Sequence, residues 1–291
     1  MIPVVALASG IGGRYPGAEY GPKILHEKWT SDIEWQDYIV PGNQYDDLKA
    51  EIERINQKLA QSVCKCVSEN PFTIVLGGDH SCGMGTWSGA SVALAKKNQE
   101  LGLIWIDAHM DCHTLDTSHS GFIHGMPVAS LIGLGHPPFK SILSPHQKIN
   151  PKNVFIIGAR SYEQEEVEHV ENLGVQFFSI EEVQNRGLSS ILKEAVSTFV
   201  EKKIPYGISL DVDFFSPESM PATNTPVENG VDPEQFLDSC KIFERYPPLV
   251  FEYVEFNPQK DIDHVTLTKS IQILDRVVDA YKVSREELVG V

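Results

Sequence analysis

The sequence predicts a three-layer α/β/α domain built on a mainly parallel sheet. Three observations carry that expectation. Short apolar runs recur along the chain, segments with helical periodicity separate them, and Gly and Pro clusters punctuate the joints. Parallel strands need crossover helices, and those helices cover both sheet faces, so the strands read as continuous apolar runs.

In chain order, the run Pro3 to Ala8 reads as a first buried strand: no basic residues precede it, as they would in a signal peptide, and it stops at Ser9-Gly10-Ile11-Gly12-Gly13. The stretch Asp46 to Glu69 places Leu48, Ile52, Ile55, Leu59 and Val63 at helical spacing. Further strands are expected at Phe72 to Leu76, Leu103 to Ile106, Val154 to Ile157, Tyr206 to Leu210 and Val250 to Val254, with helical segments at Leu188 to Val200 and about Leu267 to Tyr281. The stretches Gly10 to Pro22, Gly133 to Pro138 and Pro217 to Gly230 read as loops of functional length. Neither a linker nor a repeat interrupts the pattern, so residues 1–291 are read as one domain.

A chain of 291 residues that is 42% hydrophobic can bury a large core. Forty acidic residues against 24 basic ones give a formal charge of -16, and there is no basic block. This argues against a nucleic-acid partner and favours a cationic substrate. Five cysteines, Cys64, Cys66, Cys82, Cys112 and Cys240, form neither a zinc-like pair of C-x-x-C motifs nor a secreted scaffold, which points to a reducing, cytoplasmic compartment. No apolar stretch approaches the length that crosses a bilayer, so no membrane partner is expected.

Three strand patterns run straight into acidic or histidine residues: Ile74 to Leu76 into Gly77-Gly78-Asp79-His80, Trp105-Ile106 into Asp107-Ala108-His109-Met110-Asp111, and Ser209-Leu210 into Asp211-Val212-Asp213. Open α/β sheets bind ligands outside the carboxyl ends of their strands. In an extended strand, residues two apart project to one face, which would pair Asp107 with His109 and Asp211 with Asp213. Any one of these aspartates alone would more often cap a turn. Four carboxylates and two imidazoles at one sheet end would leave buried charge uncompensated unless cations neutralised it. His80, Asp107, His109, Asp111, Asp211 and Asp213 are therefore candidate metal ligands, enough for two ions. Oxygen-rich, thiolate-free ligation suits Mn2+, although softness leaves zinc, nickel and cobalt open. A pair of ions about 3.5 to 4 Å apart points to hydrolysis.

The runs Gly77-Gly78-Asp79-His80-Ser81, Asp107-Ala108-His109-Met110-Asp111 and Ser209-Leu210-Asp211-Val212-Asp213, in this order, resemble the signature set of the ureohydrolases, the arginase, agmatinase and formiminoglutamase family, and most of all its arginases. The resemblance extends from Gly17 to Pro22 through Glu255-Phe256-Asn257-Pro258. It implies an arginase-like fold, one Mn2+ on His80, Asp107, Asp111 and Asp211, and another on Asp107, His109, Asp211 and Asp213. It also implies urea release from a small guanidino or amidino compound, arginine first, with agmatine, a guanidino acid or formiminoglutamate as alternatives. His124 is similar to the family's proton-shuttling histidine and Glu255 to its guanidinium partner, and with Asp111 these form the expected catalytic set. Thr225, in Pro221-Ala222-Thr223-Asn224-Thr225-Pro226, is similar to the threonine beside the guanidinium. A trimeric or hexameric homo-oligomer follows from the family's habit. A non-catalytic metal-binding relative is the remaining alternative, and retention of all six ligand types speaks against it.

Departures fall at the other end of the substrate. Where arginases present asparagines to the amino-acid end of arginine, this chain has His113 and Phe122; Glu163 stands in place of an aspartate, while Ser120 is retained. Ser216 replaces an aspartate and Asn224 a glycine. His113, Ser120, Phe122, Glu163 and Thr225 are thus the expected substrate contacts.

Overall fold

A computed structural model describes residues 1–289. Its strands are β1 (Ile2–Leu7), β2 (Ile33–Ile39), β3 (Thr73–Gly77), β4 (Gly102–Ile106), β5 (Val154–Ala159), β6 (Gln176–Ser179), β7 (Tyr206–Asp211) and β8 (Val250–Val254). Its helices are α1 (Tyr20–Lys28), α2 (Leu48–Glu69), α3 (Gly83–Ala95), α4 (Pro127–Leu131), α5 (Pro137–Lys140), α6 (Gln164–Leu173), α7 (Ile180–Arg186), α8 (Leu188–Lys202), α9 (Pro233–Ser239), α10 (Lys241–Arg245) and α11 (Val265–Val289). All eight strands pair in parallel, in the order β2-β1-β3-β8-β7-β4-β5-β6. This is the α/β fold with a parallel sheet that the apolar runs predict.

Alternate residues of each inner strand feed two separate cores. Ile104, Ile106, Ile208, Leu210, Phe251 and Tyr253 pack beneath α8 to α11. Leu103, Trp105, Val154, Ile156, Val250 and Val254 pack beneath α2, α3, α4 and α6. Strands covered on both faces have no polar side, which is why their sequences are continuous apolar runs. Each fully buried Ile or Leu contributes about 1.5–3 kcal/mol.

Two strands are missing from the sequence reading, β2 and β6, and both are sheet edges. Ile33-Glu34-Trp35-Gln36-Asp37-Tyr38-Ile39 alternates partly buried with exposed residues, and Gln176-Phe177-Phe178-Ser179 is only four residues long. An edge strand half open to water lacks the apolar run of an inner strand. The expected loop Gly10 to Pro22 also ends early, because α1 begins at Tyr20; Pro22 is tolerated in a first turn, where N–H groups have no helical partner. Within the expected loop Gly133 to Pro138, Pro137 and Pro138 begin the short α5. Helix α2 starts where the Asp47 carboxylate accepts the Lys49 and Ala50 N–H groups, close to the expected start at Asp46.

All five cysteines are buried and unpaired. Among the described residues no helix is long and apolar enough to cross a membrane.

Candidate metal centre

The four central strands, β3, β8, β7 and β4, bring their carboxyl ends together at one edge of the sheet. Three of them stop in the same way. After β3, Asp79 Oδ1 accepts the Ser81 N–H at 3.0 Å; after β4, Asp107 Oδ1 accepts the His109 N–H at 2.7 Å; at the last residue of β7, Asp211 Oδ1 accepts the Asp213 N–H at 2.8 Å. These are Asx turns. They correct the expectation that an extended strand sets the i, i+2 pairs, because β4 ends at Ile106 and Asp213 lies in a 3-10 turn, Val212–Phe214. The turn-capping and metal-binding readings coexist in Asp211, whose Oδ1 holds the turn while Oδ2 faces His80, and in Asp107, both of whose oxygens face cluster histidines while Oδ1 also holds the turn.

His80 Nδ1 lies 3.0 Å from Asp107 Oδ2, 3.1 Å from Asp111 Oδ2 and 3.1 Å from Asp211 Oδ2. This nitrogen is buried and in hydrogen-bond geometry with none of them. A single N–H could serve only one of three such acceptors. Three carboxylate oxygens and a ring nitrogen aimed at one point are what a cation needs and a proton does not. A second cluster adjoins it: His109 Nδ1 is 3.4 Å from Asp107 Oδ1 and 3.2 Å from Asp213 Oδ2. Asp107 belongs to both clusters. The donor set therefore fits two neighbouring hard or borderline divalent ions.

Without an ion, electrostatics at the cluster is divided. Burial and the Asp107 charge push Asp111 up to about 6, and burial with the Asp213 and Asp107 charges raises Asp211. Burial opposes ionisation of Asp107 as well, but His109 and His80 hold it below the usual carboxylate range. Burial also opposes charge on both histidines, and their carboxylate neighbours outweigh it, raising each well above the ordinary imidazole value.

A chain of buried partners fixes His80. Its Nε2 is 2.8 Å from Ser209 Oγ, Ser209 donates to Glu252 Oε2 at 2.6 Å, and Trp87 Nε1 donates to the same oxygen at 2.8 Å. The His80 ring stacks on Trp105 with centroids 3.9 Å apart and planes 9° apart, and Trp105 Nε1 donates to Asp107 Oδ2 at 3.0 Å. Partners of this kind orient a ligating imidazole and select its tautomer. Sequence reasoning passed over Glu252, Ser209 and Trp87. The available signal was Glu252 itself, a carboxylate in the middle of the apolar run Val250 to Val254 with no exposure at all.

The expected catalytic residues meet beside this cluster. His124 Nδ1 is 3.1 Å from Glu255 Oε1, which also accepts the His80 N–H at 2.8 Å. Burial opposes charge on His124, but Glu255 outweighs it and pushes His124 up to about 9. Glu255 is thus engaged behind His124. Asp111 and Glu255 both hold left-handed backbone, with φ of 49° and 64°, a cost of about 1–3 kcal/mol that the surrounding packing sustains. Asp79, pushed up to about 6 by burial and the Glu255 charge, accepts the Gly12 N–H at 3.1 Å and binds the N-terminal loop over the site. Gly78 permits that approach, because a Cβ there would overlap the Ser9 backbone.

His124 and the candidate ligands other than Asp107 open on a cavity of about 240 Å3 whose wall also includes His113, Ser120, Glu163 and Thr225, while Glu255 lies behind His124 and Phe122 lies outside this wall. Thr225 Oγ1 donates to Asp213 Oδ2 at 2.8 Å. Arg160 anchors the loop that carries it, donating to Asp213 O at 2.7 Å and Val227 O at 2.9 Å. Asn224 is used structurally: its Nδ2 donates to Tyr15 O at 2.9 Å and its Oδ1 accepts from Asn257 Nδ2 at 2.8 Å. Phe122 stands edge-on to His124, with centroids 6.3 Å apart. His113 Nε2 is 2.8 Å from Glu163 Oε2 and 3.3 Å from Glu166 Oε2. Glu166 was not foreseen. Burial pushes it up to about 8.

A sequence model of the Arginase family matches residues 3–278. The arginase of Bacillus caldovelox is 36% identical over 292 residues, covering 94% of this chain and 96% of that protein. Its native structure aligns with a TM-score of 0.86 at 29% identity, covering 95% of this chain and 97% of that one. The structure of Entamoeba histolytica arginase in complex with L-ornithine aligns with a TM-score of 0.86 at 28% identity, covering 95% and 98%.

Proposed function

This chain belongs to the arginase family, and from that premise we propose that it is a metal-dependent hydrolase of a guanidino C–N bond, converting L-arginine to L-ornithine and urea with two Mn2+ ions. The observation that carries this reading is the His80 Nδ1 atom, buried among three carboxylate oxygens and bonded to none, with a second cluster sharing Asp107. One ion is assigned to His80, Asp107, Asp111 and Asp211, the other to Asp107, His109, Asp211 and Asp213. When bound, the two ions lower the pKa of a water and so supply a nucleophile at neutral pH.

The remaining chemistry falls to the chain's own side chains. His124, charged through its contact with Glu255, holds the proton that the departing amine requires. Glu255 stabilises that charge from behind His124, and it is the residue that the family resemblance assigns to the planar donors of the guanidinium. Asp111 and Thr225 face the cavity where the reacting carbon lies. Ser120, His113 and Glu163 form the wall toward the amino-acid end. The Entamoeba relative's complex with L-ornithine supports arginine as substrate.

A second reading has a specific observation behind it. His113 directs its Nε2 at Glu163 and Glu166 instead of presenting it to a substrate carboxylate, and Phe122 offers no donor. Agmatine, which has no carboxylate, suits such a wall. The five unpaired cysteines support a reducing, cytoplasmic setting, and a trimer or hexamer is the assembly proposed by family habit.

Urea release by the Mn2+-loaded protein, measured across arginine, agmatine and short guanidino acids with metal-stripped controls, tests the proposal. Metal-dependent release from arginine supports it. Release from agmatine alone selects the second reading, and silence on every compound overturns both.

A further inference from the structure

The N-terminal loop closes a ring of hydrogen bonds around His124. After β1, Ser9 O accepts the Asp79 N–H at 2.7 Å, and Asp79 Oδ2 in turn accepts the Gly12 N–H at 3.1 Å. Gly12 O then accepts two N–H groups at once, from Ile123 at 2.9 Å and from His124 at 3.1 Å. The His124 Nδ1 atom lies 3.1 Å from Glu255 Oε1, and the Glu255 N–H returns to Gly78 O at 2.7 Å, beside Asp79. Four segments far apart in sequence are tied in a circle, and a single residue, Gly12, joins the end of β3 to the backbone of His124.

Other support for that backbone is sparse. Residues 115–122, which lead into it, are all at least partly exposed. On the far side, Gly125 O accepts the His113 N–H at 3.1 Å. Ile123 and Met126 pack in a small buried cluster, and Ile11 of the same N-terminal loop packs against it.

Gly12 is a position where a side chain does not fit. A Cβ there would lie 2.5 Å from Asp79 Oδ1, 2.6 Å from Ser81 Oγ and 2.8 Å from Ser81 Cβ. Asp79 is 2% exposed, and its Oδ1 already holds the Ser81 N–H at 3.0 Å, so it has no room to swing aside. A larger residue therefore displaces the loop, and the carbonyl that holds His124 moves with it. At the neighbouring Gly13 a Cβ would meet nothing closer than 3.6 Å, an ordinary van der Waals contact.

We propose that Gly12 and Asp79 are positioning residues for His124: the Asp79 carboxylate fixes the N-terminal loop, and the Gly12 carbonyl fixes the backbone of the proton-holding histidine. The inference rests on the reading of His124 given above. Neither residue lines the cavity, so their effect falls on turnover and not on substrate binding. Misplacing a reacting group by about 1 Å lowers a rate by up to ~10²-fold.

Gly12→Ala and the control Gly13→Ala are compared with the wild type for bound Mn2+, Tm, kcat and KM. Gly12→Ala should keep its metal and lose kcat ~10–100-fold, with KM changed by less than about twofold. Gly13→Ala should match the wild type. In a His124→Ala background, Gly12→Ala should cause no further loss, because both changes act on one group. A second readout needs no turnover. Burial opposes charge on His124, and Glu255, with Asp111 and Asp79, outweighs it. Drawn away from Glu255, the His124 imidazole of the metal-free, full-length Gly12→Ala protein should titrate at lower pH than that of the wild type, as followed by NMR. Wild-type kcat and wild-type titration in Gly12→Ala overturn the proposal, as does an equal loss in the His124→Ala background or a loss that follows bound metal. A wild type that hydrolyses neither arginine nor agmatine refutes the role of His124 in turnover, and the titration alone then decides the positioning. Should Gly12→Ala fail to fold, Asp79→Asn, which keeps the volume and gives up one acceptor, replaces it in the cycle with His124→Ala, with the same expectation.

Discussion

His124 Nδ1 rests 3.1 Å from Glu255 Oε1, and the same oxygen receives the backbone N–H of His80 at 2.8 Å, so the histidine expected to move protons is tied through Glu255 to a candidate metal ligand. His124 touches none of the carboxylates assigned as ligands. His124→Ala should therefore retain both proposed ions while kcat falls ~10²–10⁴-fold. An unchanged kcat in metal-replete variant removes His124 from the reaction.

The same pair sets a pH dependence in metal-free protein. The folded state raises His124 from 6.5 to about 9. A raised imidazole contributes stability that is complete below its unfolded value and lost as pH rises through its folded value. Glu255→Gln removes that contribution, so the Tm gap between wild type and variant should be widest at about pH 6 and narrow by about pH 10. A gap that widens over this range contradicts the assignment.

Asp107 is the residue common to both clusters. Asp107→Ala should abolish tight binding of both proposed ions, and Asp211→Ala should do the same if Asp211 bridges. His80→Ala should weaken mainly one. Metal analysis that finds two tightly held ions in either aspartate variant refutes bridging.

Glu252 acts through Ser209 on His80 and is a positioning residue. Glu252→Gln or Ser209→Ala frees the ring to rotate, and metal affinity should fall ~10–100-fold with the fold intact. Equilibrium dialysis decides this. Wild-type affinity in Ser209→Ala would mean that stacking on Trp105 alone orients the ring.

By its resemblance to arginases, Phe122 is expected where an asparagine meets the amino-acid end of the proposed substrate. Phe122→Asn should lower KM for arginine and leave KM for agmatine unchanged, because only arginine has the carboxylate to use the amide. An unchanged arginine KM assigns the limitation to His113 and Glu163.

The chain by itself determined the inner sheet and the ligand types. Strands covered on both faces are apolar except where a buried partner satisfies a polar side chain, and carboxylates clustered at their ends need compensating charge, so both signals are written locally in runs such as Trp105 to Asp111. The edges β2 and β6 escaped because water satisfies one side of an edge strand and removes the run. What only the tertiary structure decided is which distant atoms meet. Asx turns, not strand alternation, aim the aspartates; Glu252 and Ser209, 43 residues apart, steady His80, which lies 129 residues from Ser209. The orientation of His113 toward Glu163 and Glu166 depends on a helix start 50 residues further along the chain. Local periodicity records which face a residue occupies, whereas partner choice is set by packing between elements that the chain brings together only on folding.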